Sequence, residues 1–525
     1  MNRFPSLKPI ARQLATVTAT TPHSPSPQPL LPTGKAQIRS QIGLQERVSI
    51  TNIASAGHQF FRTRDQPHTA ISGKGIYLTL ADGTLVLDAV GGAAVNCIGH
   101  GVVQVEEAIK KQLSQLAYVY GHSFNTYPGE ELADYVINLS RGAFEKAFFV
   151  AGGSEANESM IKLARQYWVQ QGQTQRTKII GRQISYHGNT LGALAAGHHP
   201  SRRALFEPII QQESFRHVSP ANYKHYSLPG ETEEEMSKRL ANELEEMIVG
   251  WGGGDQVAMF IAEPMSGTAQ GCTTAPKGYW PLIRQVCDKY GVLLAFDEVM
   301  CGSWRSGGDF FAFRQLCEGV TPDLLVCAKG LGSGYVPIGA VLANERVARG
   351  LDAEGDSKST AGLVQNGFTY TAHPISCAGS LAVQKYMAEN NIGLRVNPLG
   401  ERLVSRLCSL FSNTPLAPYV IDIRGSGLFW AIEFASQSDA AARHGVETTL
   451  TKDGKWLKDG IVNRIAGKAM EMGVITMAIG GTVDGKTGQV LILAPPYVCT
   501  DEEIDVIADV VVEASVQVYN LEGSL

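Results

Sequence analysis

The chain predicts an α/β fold built on a mainly parallel sheet. Two observations carry this expectation: past residue 45 short apolar runs alternate with stretches of helical periodicity, and 525 residues are enough for a large core shared between two domains. A third works by exclusion. The formal net charge is only -5, no strongly basic face stands out, and no apolar stretch approaches the length that spans a bilayer, so nucleic-acid and membrane roles lack support. Nine cysteines are scattered without a C-x-x-C pair, and Cys287 and Cys327 sit in apolar runs, the pattern of buried thiols in a reducing compartment.

Residues 1-45 differ from the rest. They hold Arg3, Lys8, Arg12, Lys35 and Arg39, no acidic residue before Glu46, and a Ser/Thr/Pro-rich stretch that can contribute little core. Phe4, Leu7, Ile10 and Leu14 share one side of a helical wheel, as in a mitochondrial transit peptide, while Pro5 and Pro9 interrupt that helix and suit a disordered arm on a cytoplasmic protein. Next, "GIYLTLADGTLVLDAV" at 75–90 reads as a hairpin turning at Asp82-Gly83. Strands are expected at 146–151, 177–182, 257–263, 292–297 and 323–328, where β-branched and aromatic residues cluster. A helix should run from Ser154 to about Gln171 with Ile161, Ala164 and Trp168 on one face, and another over 232–249 should open with the capping box Thr232-x-x-Glu235 and bury Leu240, Leu244 and Ile248. "TVDGKTGQ" at 482–489 reads as a loop between two C-terminal strands.

The chemistry lies at the ends of those strands, since ligands in open α/β sheets bind beyond the carboxyl ends. "AGGSEANES" puts Gly152, Gly153 and Ser154 between a strand and a helix N-terminus, where free N–H groups and the helix dipole favour a phosphate; Ser154 as a plain N-cap is the alternative. "VLLAFDEV" ends an apolar strand on Asp297 and Glu298. A carboxylate there either caps or ion-pairs, or keeps a heterocyclic nitrogen protonated. Tyr186 and His187 lie on a loop where an aromatic ring either stacks on a flat cofactor or simply packs. Lys329 ends "DLLVCA", so its amine either snorkels to water or reacts from a partly desolvated position. The "GLGSG" that follows is neither a dinucleotide fingerprint nor a Walker A loop, which removes both phosphate-binding readings.

Taken in order, "GGSEANESMIKLAR", "SYHGNTLGA", "AEPMSGTAQG", "FDEVMCGSWRSG", "CAKGLGSGYVPIGAV", "FTYTAHPISCAGS" and "IRGSGLFWAIEF" resemble the class III aminotransferases, pyridoxal 5'-phosphate enzymes of fold type I. The likeness spans roughly residues 70 to 515 and reaches "LAPPYVCTDEEID", where Thr500-x-x-Glu503 would cap the last helix. It implies a large domain with a mainly parallel seven-stranded sheet flanked by helices, plus a smaller α+β domain from both termini. The expected divisions are an arm at 1-45, the first part of the small domain at 46-98, the cofactor-binding domain at 99-384 and the rest of the small domain at 385-525.

The resemblance also implies roles. Lys329 resembles the Schiff-base lysine that then serves as general base and acid, and Asp297 the partner of the pyridinium nitrogen. Val299 and Tyr186 match the residues on the two faces of the ring, with His187 beside Tyr186. Gly153 and Ser154 match the phosphate cup, Glu263 a supporting carboxylate, and Thr369 a threonine that reaches the neighbouring subunit's cofactor, which implies a homodimer with shared sites. The implied reaction moves an amino group from an amine or amino acid to a 2-oxo acid or aldehyde by a ping-pong route. Aminomutase, racemase or decarboxylating chemistry on the same scaffold is the alternative, and a non-enzymatic binding protein a more remote one.

Two departures bear on substrate. Many relatives carry a glutamate in a "QGEGG"-like stretch that neutralises the substrate-binding arginine; here Thr268 stands at that place. Arg424 in "IRGSG" matches the arginine that grips the substrate carboxylate, or else forms a structural ion pair. Trp304 in "CGSWRSG" replaces a smaller residue and either lines the pocket or fills an interface.

Overall fold

The computed structural model describes residues 59–63, 67–211, 213–352, 363–435 and 460–521. The expected arm at 1-45 lies outside them. The central sheet has seven strands, ordered from edge to edge Lys146–Val150, Gly339–Ala343, Leu324–Ala328, Leu293–Asp297, Val257–Ala262, Lys178–Arg182 and Phe215–Val218. Five neighbours from Leu324–Ala328 to Phe215–Val218 run parallel, and Gly339–Ala343 alone pairs antiparallel on both of its sides.

Alternate side chains of each strand serve opposite faces, so a sheet covered on both faces needs continuous apolar strands. Leu293, Ala295, Leu324, Val326 and Ile261 pack under the helix Gly153–Gln170, while Leu294, Phe296, Leu325, Cys327 and Phe260 pack on the opposite side with the helices Glu233–Gly250 and Tyr279–Tyr290. Ala164 and Trp168 are fully buried as expected of the first helix, and Leu240, Leu244 and Ile248 are buried in the second. The capping box forms in both directions, with Thr232 Oγ1 accepting from Glu235 N at 3.3 Å and Glu235 Oε2 accepting from Thr232 N at 2.8 Å. Thr500 and Glu503 repeat that reciprocal pair ahead of the helix Asp501–Leu521.

The smaller α+β part draws on both ends of the chain. The expected hairpin appears as Tyr77–Leu80 and Leu85–Asp88, and its second strand pairs parallel with Val474–Ile475. A second antiparallel sheet orders Val420–Ser426, Phe429–Phe434, Gln489–Leu493 and Met477–Gly480, so the loop expected at 482–489 does join two C-terminal strands. Eight cysteines, Cys287 and Cys327 among them, are free and buried, and Cys408 is exposed. Among the described residues no helix is long and apolar enough to cross a membrane.

Candidate active site

Beyond the carboxyl ends of the central strands lies a cleft of about 550 Å³. Gly153, Ser154, Tyr186, His187, Glu263, Asp297, Val299 and Lys329, eight residues expected at the site, all line it. They come from five separate segments, and the strand order explains the convergence: Leu324–Ala328 and Leu293–Asp297 are direct neighbours, so Lys329 and Asp297 leave the sheet side by side.

Asp297 is 4% exposed. Its Oδ2 accepts from Asn157 Nδ2 at 2.9 Å and faces His187 Nδ1 at 2.8 Å, and its Oδ1 accepts from Val299 N at 2.9 Å. A carboxylate has about four acceptor sites, so one remains for a donor in the cleft. The neighbouring Glu298 takes the structural part instead: both its oxygens accept backbone N–H bonds, from Ala312 and Phe313, at 2.7 Å. Burial pushes the Glu298 carboxyl up to about 8. Of the "DE" pair, Glu298 is thus spent on backbone donors while Asp297 faces the cleft.

Lys329 is half-buried and takes a left-handed backbone, φ 46°, directly after the strand. That conformation is uncommon outside glycine and turns the side chain out of the sheet. Its Nζ donates to Ala93 O at 2.8 Å. The Ala93 carbonyl is set by a turn after the hairpin, where Asp88 accepts from Val90 N and Gly92 N. Burial lowers the Lys329 amine to about 8, opposed by the charge of Asp297 and assisted by those of Arg305 and Arg202. An amine so placed is a nucleophile and a base near neutral pH.

The helix Gly153–Gln170 starts at the other end of the cleft. Its first intrahelical bond runs from Ala156 N to Gly152 O, which leaves the N–H groups of Gly153 and Ser154 without intrahelical partners. Ser154 is not the N-cap; Gly152 is, and Ser154 Oγ accepts from Asn189 N at 3.1 Å. Gly153 is required by space, because a Cβ there would stand 2.8 Å from Val299 Cγ1. Glu263 is 7% exposed and accepts from Ser266 Oγ at 3.1 Å; burial raises its carboxyl.

These residues fit pyridoxal phosphate. A helix N-terminus suits its phosphate, the carboxylate of Asp297 its ring nitrogen, Tyr186 and Val299 its faces, and the Lys329 amine its carbonyl. The buried His187 Nε2 lacks a hydrogen-bond partner among the described residues.

Three expected residues lie elsewhere. Arg424 does not line the cleft: its Nη1 meets Asp422 at 3.2 Å and Glu433 at 2.5 Å, its Nη2 donates to Gln270 O, and its Nε to Gly271 O and Thr273 Oγ1. In this structure Arg424 forms an ion pair, with its terminal nitrogens on Asp422, Glu433 and Gln270 O. Trp304 does not line this cleft either. It packs between the two main cores and sits 2.6 Å from where a Cβ of Gly393 would be, away from the cleft. Thr369 lies on an exposed segment, where its carbonyl accepts from Tyr118 Oη at 3.2 Å.

Two residues of the site escaped the sequence reading. Asn157 is fully buried and bonds Asp297, His187 O and Gly153 O; its only signal was its place one helical turn after Gly153 in "GGSEANES". Arg202 lies behind two lining residues, its Cζ 4.7 Å from the Tyr186 ring centroid and its two terminal nitrogens each 3.0 Å from Thr268, on Oγ1 and O.

Comparison with known proteins places the chain among aminotransferases. The model of the family described as Aminotransferase class-III matches residues 62–514. An uncharacterized aminotransferase of Schizosaccharomyces pombe is 39% identical over 440 residues, covering 84% of this chain and 90% of the relative. A diaminobutyrate–2-oxoglutarate transaminase of Halomonas elongata is 33% identical, covering 87% and 92%. Among solved structures, the ω-transaminase of Pseudomonas jessenii in complex with PMP superposes with a TM-score of 0.77 at 29% identity, covering 87% of this chain and 94% of that one.

Proposed function

This chain belongs to the class III aminotransferases, and on that premise we propose that it moves an amino group from an amine or amino acid to a 2-oxo acid or aldehyde, with Lys329 as the lysine that holds the cofactor covalently. The enzyme is a transaminase of the pyridoxal-phosphate-dependent kind, as its family is. When bound, that cofactor supplies an electron sink for the bond-making at the amine-bearing carbon. The observation that carries the reading is the convergence of Lys329, Asp297 and the Gly153 helix end on one cleft.

The chain's own groups divide the work. Asp297, fixed by Asn157, His187 and the Val299 N–H, would keep a proton on the ring nitrogen. Gly153 and Ser154 would hold the phosphate through their free N–H groups, and Tyr186 and Val299 would pack against the ring. Lys329 Nζ, uncharged in a large share of molecules near pH 8, takes a proton from the substrate carbon and returns one on the way to product. The donor leaves as a carbonyl compound before the acceptor enters, so turnover is ping-pong.

A homodimer belongs to the same reading. Tyr118, Tyr120, Phe124, Tyr127, Leu363 and Tyr370 are exposed aromatic or apolar side chains, and Tyr118 and Tyr370 lie in ring contact beside Thr369. A second copy that covers this surface would bring its Thr369 to the first copy's cofactor. The division of the chain at 45, 98 and 384 is likewise part of the proposal, supported by the pairing of Leu87 with Val474.

Lys329→Ala tests the central assignment. We expect it to fold, to lose transamination by at least ~10³-fold, the scale of an essential proton-transfer group, and to lose the cofactor that borohydride fixes to the wild-type chain. Borohydride fixation at an unchanged level in the variant would refute the role of Lys329.

A further inference from the structure

Lys329 and Asp297 leave neighbouring strands side by side, and opposite charges so placed should fall into an ion pair. They do not. Among the described residues the Lys329 amine forms no ion pair, although the charge of Asp297 acts on it, and the acceptor it meets is the Ala93 carbonyl, at 2.8 Å. An ammonium has three donors and no acceptor, so this carbonyl sets where the amine rests.

The carbonyl belongs to a strained turn. Gly91 and Gly92 have φ 56° and 69°, Gly92 with ψ −94°, and Ala94 has φ 58°. Residues with a side chain rarely adopt such angles, so the turn persists only where its surroundings fix it. Asp88, 5% exposed, does so: its Oδ1 accepts from Val90 N at 3.0 Å and its Oδ2 from Gly92 N at 2.7 Å. The base of the turn is tied to C-terminal strands, with Ala89 N donating to Ile475 O and Ala494 N to Ala89 O. Its far end is tied back to Gly91 O by Val95 N and Asn96 N, and Val95 then lines the cleft. A buried carboxylate that does not line the cleft thus aims one backbone oxygen at the Lys329 amine.

We propose that Asp88 is a positioning residue for the reaction: through the turn over 88–93 it holds the Ala93 carbonyl as a dock for the Lys329 amine while that amine is not joined to the cofactor. The dock gives the amine a fixed starting point for proton transfer and leaves Asp297 to the ring nitrogen. This role rests on the transaminase reading above, in which Lys329 alternates between joined and free, and it is measured on the amine itself rather than on turnover alone.

The test is trace labelling with acetic anhydride, read on the Lys329 peptide by mass spectrometry as pH is varied. It uses full-length holoenzyme loaded with pyridoxamine phosphate, the form that leaves the Lys329 amine free. A carbonyl acceptor favours the charged amine, so Asp88→Ala should move the labelling midpoint of Lys329 down by about 0.5–1 pH unit, and Asp88→Asn, which keeps one acceptor, by less. Asp297, Arg305, Arg202 and Cys301, whose charges act on the amine, are unchanged in these variants, as is His100, which acts on Asp88. Gly92→Ala reaches the same turn by another route. A Cβ there meets nothing within 4 Å, so it disturbs the turn only through its backbone angles and leaves the Asp88 charge in place. It should lower the midpoint as Asp88→Ala does, and Asp88→Ala should also lower kcat by roughly 10-fold with KM little changed. An unchanged or raised midpoint in Asp88→Ala or Gly92→Ala, whichever folds, would overturn the dock. Wild-type Lys329 labelled equally in the pyridoxal and pyridoxamine phosphate forms would instead overturn the assignment of Lys329, while the shift in the variants would still report the dock.

Discussion

Asn157→Ala is the sharpest probe of how the site is held. Asn157 Nδ2 has two hydrogens and three oxygens within reach: Asp297 Oδ2 at 2.9 Å, His187 O at 2.8 Å and Gly153 O at 3.2 Å. Removing it leaves a buried carboxylate and a buried carbonyl each short of a donor. The first loss is charge-assisted, about 1.5–3 kcal/mol, and the second neutral, about 0.5–1.5 kcal/mol, so we expect a total of about 2–4 kcal/mol in urea unfolding. Asp297 would keep His187 and the Val299 N–H, but with one donor fewer its carboxylate is held less firmly in place. The expected kinetic result is a fall in kcat of about 10- to 100-fold with the cofactor still bound. Asn157→Asp should be worse, because two carboxylates at that separation cannot both ionise. An Asn157→Ala protein within ~0.5 kcal/mol of wild type, with kcat unchanged, would refute the idea that this side chain positions Asp297.

Other perturbations follow from the same geometry. In cofactor-free protein the Lys329 amine is lowered from its ordinary 10.5 to about 8 by burial, so the rate of cofactor capture should climb with pH through a midpoint near 8; a midpoint near 10 would contradict the burial. The linkage has a definite sign: between those two values the unfolded chain holds the proton that the folded one has released, so cofactor-free protein should gain stability as pH rises through that window. Arg424→Ala removes one partner of Glu433, whose side chain is 1% exposed and keeps His225 Nε2 at 3.0 Å, and should cost about 1.5–3 kcal/mol in unfolding; an unchanged KM for 2-oxo acids would mark a purely structural role. Sedimentation should give twice the mass of one chain, and Tyr118→Asp on the exposed aromatic surface should shift the protein toward a single-chain species.

Much of the fold was legible because local pattern and global role agree. The strand Leu293–Asp297 is buried on both faces and reads as an unbroken apolar run; the hairpin carries its turn residues; both capping boxes are written in four-residue motifs. The strand Gly339–Ala343 was not foreseen. Its antiparallel place between Lys146–Val150 and Leu324–Ala328 is a matter of pairing across distant sequence, which no local periodicity records. Phe215–Val218, four residues at the edge, is too short to show a period. At the site, Lys329 and Asp297 were legible as charges ending apolar strands. Asn157 was not, since a polar residue on a helix reads as solvent-facing until Asp297 is packed against it. The partners of Arg424 were not legible either: Glu433 lies on the paired strand, and only the register of the hairpin, Arg424 opposite Ala431, brings the two together.

The lone antiparallel strand also acts as a spacer. Lys146–Val150 leads into the Gly153 helix and Leu324–Ala328 into Lys329, and these two strands never pair; Gly339–Ala343 lies between them and sets one strand's width between the two ends. The helix packed on Leu324 and Val326 and the bond from Asn157 to Asp297 hold the same spacing from the other side. A ligand that bridges both ends would therefore bind the completed fold alone and stabilise it by mass action.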